Sequence, residues 1–442
     1  MERLLVIGLD CVPMTLLQRF RAVMPNISAL MEEGLYGNMK TCYPPITVPA
    51  WAVMATGRQP GEMGIYGFRH RRTGTYNDMY IITSKDLRVE AVWHKLARKG
   101  RRSILVSFPP SYPPPVINGI SISDFHTPST AKNYTFPPWI RSELEKRFGR
   151  FIFDVEFRVE DRDPLVGKLF EMTEQHFKVV RYLSQKKWDL LWYVEIGPDR
   201  LHHAFWKFFD PEHPKHVPGN KYEDIAERYY RMLDEKVGEL LSSLKVPVLI
   251  VSDHGAKPMH GAFVINEWLA DNGYLKFEMP EEKRDISEVK VDWDHTVAWG
   301  WGGYYSRIFI NLKGREPNGK VSPEDYDSVV EQIRDDLSKV STPDGRTMRN
   351  IVHRPHEVYR EVRGDYPDLM LYVDDLNWRA AGTVGYRSWY LPENDKGPDD
   401  AMHDWHGIYI AYDPEGRLKK GKEDREIYDI RPLIERIMEI EG

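Results

Sequence analysis

Three aspartates stand where short apolar runs end: LLVIGLD stops at Asp10, LLWYVEIGPD at Asp199, and VLIVSDH at Asp253 and His254. Taken singly, an aspartate in such a place usually caps a helix or closes a turn. Three of them at the carboxyl ends of buried strands gather negative charge in one desolvated place, which is costly unless a cation neutralises it. Ligands of an open parallel sheet bind at that edge, and a divalent metal is the natural occupant. Asp199 and His203 are four residues apart in PDRLHHAFW, one helical turn, so both can face one ion. His202 beside it points elsewhere and reads as a solvated or packed histidine. Near the C-terminus, AMHDWHGIYIAY offers His403 and His406 ahead of another strand-like run. Mixed histidine and carboxylate donors suit zinc, with manganese or iron compatible.

The second chemical element is a nucleophile. CYPPITVPAWAVMATGRQPGEMGIYGF places Thr47 between prolines, ahead of small and apolar residues that can begin a helix. Amides at a helix N-terminus favour an oxyanion or a phosphate, and a metal can lower an alcohol's pKa enough to make it nucleophilic. Only two cysteines occur, Cys11 and Cys42. They cannot form a disulfide framework and read as small buried thiols. Both lie near these chemical residues, which leaves room for redox or metal sensitivity.

The elements that must position these groups follow from the apolar pattern. Leu4–Leu9, Ile104–Phe108, Leu190–Ile196, Val248–Val251 and Leu369–Val373 are near-continuous apolar runs, the signature of strands buried on both faces. Helical spacing of apolar residues runs through Met14–Glu33, Val89–Lys99, Leu165–Lys186, Tyr222–Leu244 and Pro323–Lys339. Alternation of the two predicts an α/β fold with a central, mostly parallel sheet between helices. Residues about 109–160, with PPSYPPP, and about 275–365, with AWGWGGYYSRIFIN, break the rhythm. They read as inserted cap segments of one domain spanning 1–442.

Composition removes several classes. With 61 basic against 67 acidic residues, a formal charge of −6 and 41% hydrophobic residues in 442, the chain is an ordinary globular sequence. It gives no reason to expect a nucleic-acid partner. No apolar run approaches the roughly 18 residues of a membrane span. MERLLVIGLD reads as a first strand rather than a signal peptide, so a cytoplasmic location is expected.

In this light the sequence resembles the alkaline phosphatase superfamily, and within it the type I phosphodiesterase/nucleotide pyrophosphatase group. The matching pieces are GLD, PPITVPAWAVMATGRQPGEMGIYGF, the D-x-x-x-H of DRLHH, VSDHG and the late histidine of MHDWHGIYIAY, in the family's order. The subgroup of predicted phosphohydrolases or phosphomutases of archaea and bacteria is the nearest in character. The resemblance implies an alkaline phosphatase-like fold and two divalent ions of the zinc type, with manganese compatible. Asp10, Thr47, Asp253 and His254 would serve one ion; Asp199, His203 and a late histidine would serve the other. The resemblance favours His403 over His406, because the subgroup carries a histidine four residues before the glycine of G-I-x-I, here Gly407.

The implied reaction is hydrolysis of a small-molecule phosphodiester or phosphoanhydride through a phosphothreonine on Thr47. A phosphomutase or phosphomonoesterase on the same scaffold is the alternative. A head-group transferase or a non-catalytic metal-dependent binding protein stands further off. Two departures bear on substrate: Val48 follows the nucleophile where nucleotide pyrophosphatases commonly carry an aromatic, and Phe68 falls where they carry an asparagine. Arg58, Arg69, Arg71, Arg72 and Lys257 are the remaining candidates for phosphate oxygens. Trp299, Trp301, Tyr304 and Tyr305 form either a pocket wall or packed core. His70, His126, His260 and His295 match no family position and read as structural, with His260 the nearest candidate for a supporting role. The sulfatase motif C-x-P-x-R is absent, since Cys42 is followed by YPPI.

Overall fold

The computed structural model describes residues 3–440. They form two compact units. The first comprises Met1–Gly67, Ile82–Ala256 and His403–Gly442; the second comprises Phe68–Ile81 and Lys257–Met402. The irregular segment 109–160 belongs to the first unit, and the segment 275–365 belongs to the second.

The first unit is built on one large sheet. Its central strands Val248–Val251, Leu4–Leu9, Leu190–Glu195, Ser103–Val106 and Gly119–Ile122 are neighbours in that order and mutually parallel. His406–Tyr412 runs antiparallel beside Val248–Val251, and Leu35–Lys40 antiparallel beside His406–Tyr412. The mostly parallel α/β sheet expected from the apolar runs is therefore present.

Its continuous hydrophobicity has a direct cause. Leu4 and Val6 point into a core formed with the helices Thr47–Thr56, Val92–Arg98 and Ile430–Ile437. Leu5, Ile7 and Leu9 alternate onto the other face and are equally buried. Among the other helices, Asp163–Leu183 packs on Gly197–Phe209 and Ile225–Ser242.

Two expectations need correction. The Met14–Glu33 pattern is not one helix but Met14–Arg19, a 3-10 turn at Arg21–Val23, and a new helix Pro25–Glu33. Proline at position 25 sets the break: it disfavours helical backbone at Met24 and suits the first turn of the next helix. Leu369–Tyr372 is a strand, but of a four-stranded antiparallel sheet in the second unit with Ala298–Trp301, Ser306–Ile310 and Ile351–His353. That sheet lies within an apolar core of its own, so both faces of the strand are covered and the run reads like a parallel strand.

Gly8 shows how tightly the central sheet meets the helix that carries Thr47. A Cβ there would lie 2.4 Å from Trp51 Cη2, 2.9 Å from Trp51 Cζ3 and 3.0 Å from Val194 Cγ2. Trp51 is fully buried and tied by its indole N–H, so it cannot yield freely. Gly8→Ala is expected to cost about 1–3 kcal/mol by overpacking, read as a lowered urea midpoint at unchanged slope.

Candidate metal and phosphoryl-transfer site

Adjacent strands deliver the site. Asp10 directly follows Leu4–Leu9; Ser252, Asp253 and His254 follow Val248–Val251; Asp199 and His203 lie in the first two turns of the helix Gly197–Phe209, just after Leu190–Glu195. These three strands are side by side and parallel, so their carboxyl ends share one edge. His406–Tyr412 runs the opposite way, with Tyr409 opposite Val251. Its entry point is therefore at that same edge, which brings His403 there. Leu35–Lys40 ends there too, with Lys40 opposite His406, and leads through residues 41–46 to Thr47 at the start of the helix Thr47–Thr56.

The three aspartates are fully or almost fully buried, and each has one oxygen tethered by a protein N–H. Trp51 Nε1 donates to Asp10 Oδ2 at 2.8 Å, the Cys11 amide to Asp253 Oδ1 at 3.1 Å, and Arg200 Nη1 to Asp199 Oδ2 at 2.6 Å. The opposite oxygens face inward. Among the described residues, Asp10 Oδ1 and Asp253 Oδ2 are buried with no hydrogen-bond partner. Asp253 Oδ2 lies 3.1 Å from His254 Nε2, and Asp199 Oδ1 lies 3.4 Å from His203 Nε2 and 3.9 Å from His403 Nε2. Two sets of candidate donor atoms result, each within 4.8 Å of one another: Asp10, Asp253 and His254, and Cys11, Asp199, His254 and His403. Buried carboxylates left half-satisfied beside histidine nitrogens are what a divalent ion of the zinc type requires. The residues fit such ions.

The histidines complete the geometry. The His403 ring stacks on His254 with centroids 3.8 Å apart, and His403 Nδ1 is 2.7 Å from the Pro45 carbonyl, which orients it. Thr47 Oγ1 is 3.3 Å from His254 Nε2. His203 is buried beside Asp199 but lies outside both donor sets, as does His406, the other late histidine, which is exposed. His202 is buried rather than solvated, with Nε2 2.9 Å from the Tyr230 hydroxyl and its ring edge-on to Trp206. Burial lowers its pKa to about 3.

Charge coupling is strong. Burial, together with the carboxylates of Asp253 and Asp199, pushes Asp10 well above the usual carboxylate range. Burial also opposes ionisation of Asp199, but His203 and Arg200 outweigh it and hold that group well below the range. Burial opposes charge on His254 as well; Asp253 and Asp10 outweigh it and raise the pKa to about 9. Burial and Asp199 push the Cys11 thiol up.

Sequence reasoning missed Trp51, Arg200 and the Asp154 that grips Arg200. Asp154 takes Arg200 Nε at 2.6 Å and Nη2 at 2.7 Å, while Phe157 packs under the guanidinium at 4.5 Å. The only available signal was an arginine immediately after Asp199. Glu195 was also unread; it is buried and satisfied by His176, Thr173, Tyr193 and the Gly197 amide, a structural carboxylate beneath the site.

The basic candidates are otherwise engaged. Arg71 is buried in the second unit, paired with Glu316 and Asp365, and packed over Trp299 and Phe309. Arg58 is exposed and pairs with Glu62, Arg72 pairs with Asp78, and Lys257 donates to the Asp375 carbonyl. Arg69 is exposed, and its carbonyl accepts from Arg307. Trp299 is core, stacked on Phe309; Tyr305 stacks on Tyr372, and Tyr304 lies under Arg379.

The fold has known counterparts. Human ectonucleotide pyrophosphatase/phosphodiesterase 5 is similar in structure, with a TM-score of 0.59 at 14% identity, covering 100% of this chain and 96% of that one. An inactive threonine-to-alanine form of the murine protein, in complex with AMP, is similar with a TM-score of 0.56 at 14% identity, covering 99% and 95%. The fold is thus an alkaline phosphatase-like α/β fold. Residues 4–408 match the family described as Type I phosphodiesterase / nucleotide pyrophosphatase, and the chain belongs to that family of hydrolases. No curated protein sequence matches it. Among the described residues, no helix is long and apolar enough to cross a membrane.

Two outcomes follow from the charges. The raised pKa of His254 contributes stability to the metal-free protein that is complete below its unfolded value of 6.5 and lost as pH rises through about 9. An ion bound through that ring must displace the proton, so metal affinity rises over the same window. Calorimetric zinc titrations in buffers of different ionisation enthalpy are expected to report proton release at neutral pH, and less of it in buffers held above pH 9. Removal of Arg200 leaves Asp199 and Asp154 without their shared cation. Arg200→Ala is expected to lower unfolding free energy by about 3 kcal/mol in urea, with a smaller loss for Asp154→Ala.

Proposed function

We propose that the chain cleaves a small-molecule phosphodiester or phosphoanhydride at a two-metal centre, through a phosphothreonine on Thr47. The observation that carries this reading is the 3.3 Å approach of Thr47 Oγ1 to His254 Nε2, at the meeting point of the two donor sets. Asp10, Asp253 and His254, with Thr47, would hold one ion; Asp199, His203 and His403 would hold the other. Histidine and carboxylate donors favour zinc, with manganese compatible. When bound, the ions supply Lewis acidity that makes the Thr47 hydroxyl acidic and stabilises the departing oxygen.

The remaining work belongs to the chain. Thr47 opens a fully buried helix, and as first-turn groups the Thr47 and Val48 amides have no intrahelical acceptor and suit a phosphate oxygen. Thr47 Oγ attacks phosphorus as the bond to the leaving oxygen breaks; the proton lost by Thr47 ends on that oxygen. Water then cleaves the phosphothreonine, restoring the hydroxyl and releasing the phosphate product. Trp51, the Cys11 amide and Arg200 keep the three carboxylates aimed while this happens.

AMP on the murine relative makes nucleotide diesters natural first substrates to try. Val48 is aliphatic and fully buried, so it offers no ring for a base. The cytoplasmic location expected from sequence remains part of this proposal, supported by two buried free cysteines.

The test is metal-replete hydrolysis of an aryl phosphodiester and the matching monoester. The diester is expected to be preferred, and Thr47→Ala to lower kcat on the order of 10³-fold or more with the fold intact by circular dichroism. Preference for the monoester, or phosphoryl exchange between hydroxyls without net hydrolysis, would shift the assignment to the phosphatase or mutase alternative. Unchanged turnover in Thr47→Ala would remove Thr47 as nucleophile.

A further inference from the structure

Cys11 sits in the left-handed backbone region at φ 66°, where glycine is the residue without penalty. A side chain kept in such a conformation beside a functional site calls for a reason. The side chain is fully buried, and its Sγ reaches the Gly255 carbonyl at 3.5 Å, a weak contact that fixes its direction. That direction is toward the site: Sγ and donor atoms of Asp199, His254 and His403 all lie within 4.8 Å of one another. The turn at Cys11 lets two successive residues serve the same edge, since in a continued strand they would point to opposite faces. Independently of the thiol, Asp10 Oδ1 and Asp253 Oδ2 are buried in the adjoining donor set with no hydrogen-bond partner among the described residues, which marks the place as one built for cations.

We propose that Cys11 is a metal ligand, its thiolate joining Asp199 and His403 at one of the two ion positions; this rests on the two-metal reading above. The sulfur–metal bond forms as the S–H bond breaks, and the proton passes to water. A sulfur donor makes that position selective for zinc, cadmium or cobalt over magnesium and manganese. The position served by Asp10 and Asp253 has only nitrogen and oxygen donors and lacks this preference.

The test uses the full chain, stripped with chelator and titrated with Cd²⁺ and with Co²⁺. Binding is followed by calorimetry and by the ultraviolet sulfur-to-metal charge-transfer band. The wild type is expected to develop a band corresponding to one thiolate per chain. Cys11→Gly, which suits the backbone at φ 66°, and Cys11→Ser are expected to bind metal without the band. Their Cd²⁺ affinity at one site should fall by roughly tenfold or more while Mn²⁺ affinity changes little. Metal binding by the wild type with no band, or a band that persists in Cys11→Gly, would overturn the assignment of Cys11 alone. No binding of either ion by the wild type would overturn both this inference and the two-metal reading.

Discussion

Three carboxylates confined to a buried sheet edge are the constraint on which the rest of the first unit depends. Asp10, Asp199 and Asp253 are buried from bulk solvent, and Coulomb repulsion between them is strong where the dielectric is low. The chain answers by holding Asp10 and Asp253 on one side only, while Asp199 also has His203 Nε2 3.4 Å from its inner oxygen. An indole N–H, a backbone amide and a guanidinium take one oxygen apiece, and the other oxygen is left facing its neighbours. A protein that needed these aspartates only for structure would satisfy both oxygens of each, as it does for Glu195. The contrast between Glu195 and Asp10, one strand apart, separates a carboxylate that supports the fold from one held ready for a cation.

The sheet's topology explains why residues 393 positions apart, Asp10 and His403, can meet there. Parallel strands place their carboxyl ends together, and each continues into the loop or helix that carries a donor. One antiparallel strand is then enough to bring in the last histidine, because its beginning lies where its neighbours end. His403 precedes that strand and is buried; His406 is its first residue and is exposed. Two residues separate a side chain turned into the cluster from one turned to solvent. The distinction is one of place in the fold, since His403 lies in the short strand Ala401–Asp404 and His406 begins the next strand, not of residue type.

What could be read in the sequence and what could not divide along the same physical line. The strand ends at Asp10, Asp253 and near Asp199 were legible because burial on two faces writes a continuous apolar run, and a polar residue that stops such a run is conspicuous. Thr47 was legible from its prolines and the buried helix after it. Trp51 and Arg200 were not: tryptophan in an apolar helix looks like core, and an arginine after an aspartate looks like surface. Their roles come from partners 41 and 46 residues away, Asp10 and Asp154. The misplacement of Leu369–Tyr372 has a similar origin, since two-sided burial has the same pattern whichever way neighbouring strands run.

Charge balance bears on which phosphate ester the proposed centre would favour. Arg200 is balanced by Asp154 and adds no free positive charge, so the cationic surplus available to substrate comes from the ions alone. Two divalent ions exceed three carboxylates by one charge, and a Thr47 alkoxide would consume that surplus. A thiolate at Cys11 would take the balance one unit negative. Arg58, Arg71 and Arg72 are paired with carboxylates of their own and do not restore it. Such a centre repels a monoester dianion more than a diester monoanion, so electrostatics and family membership point to the same substrate class.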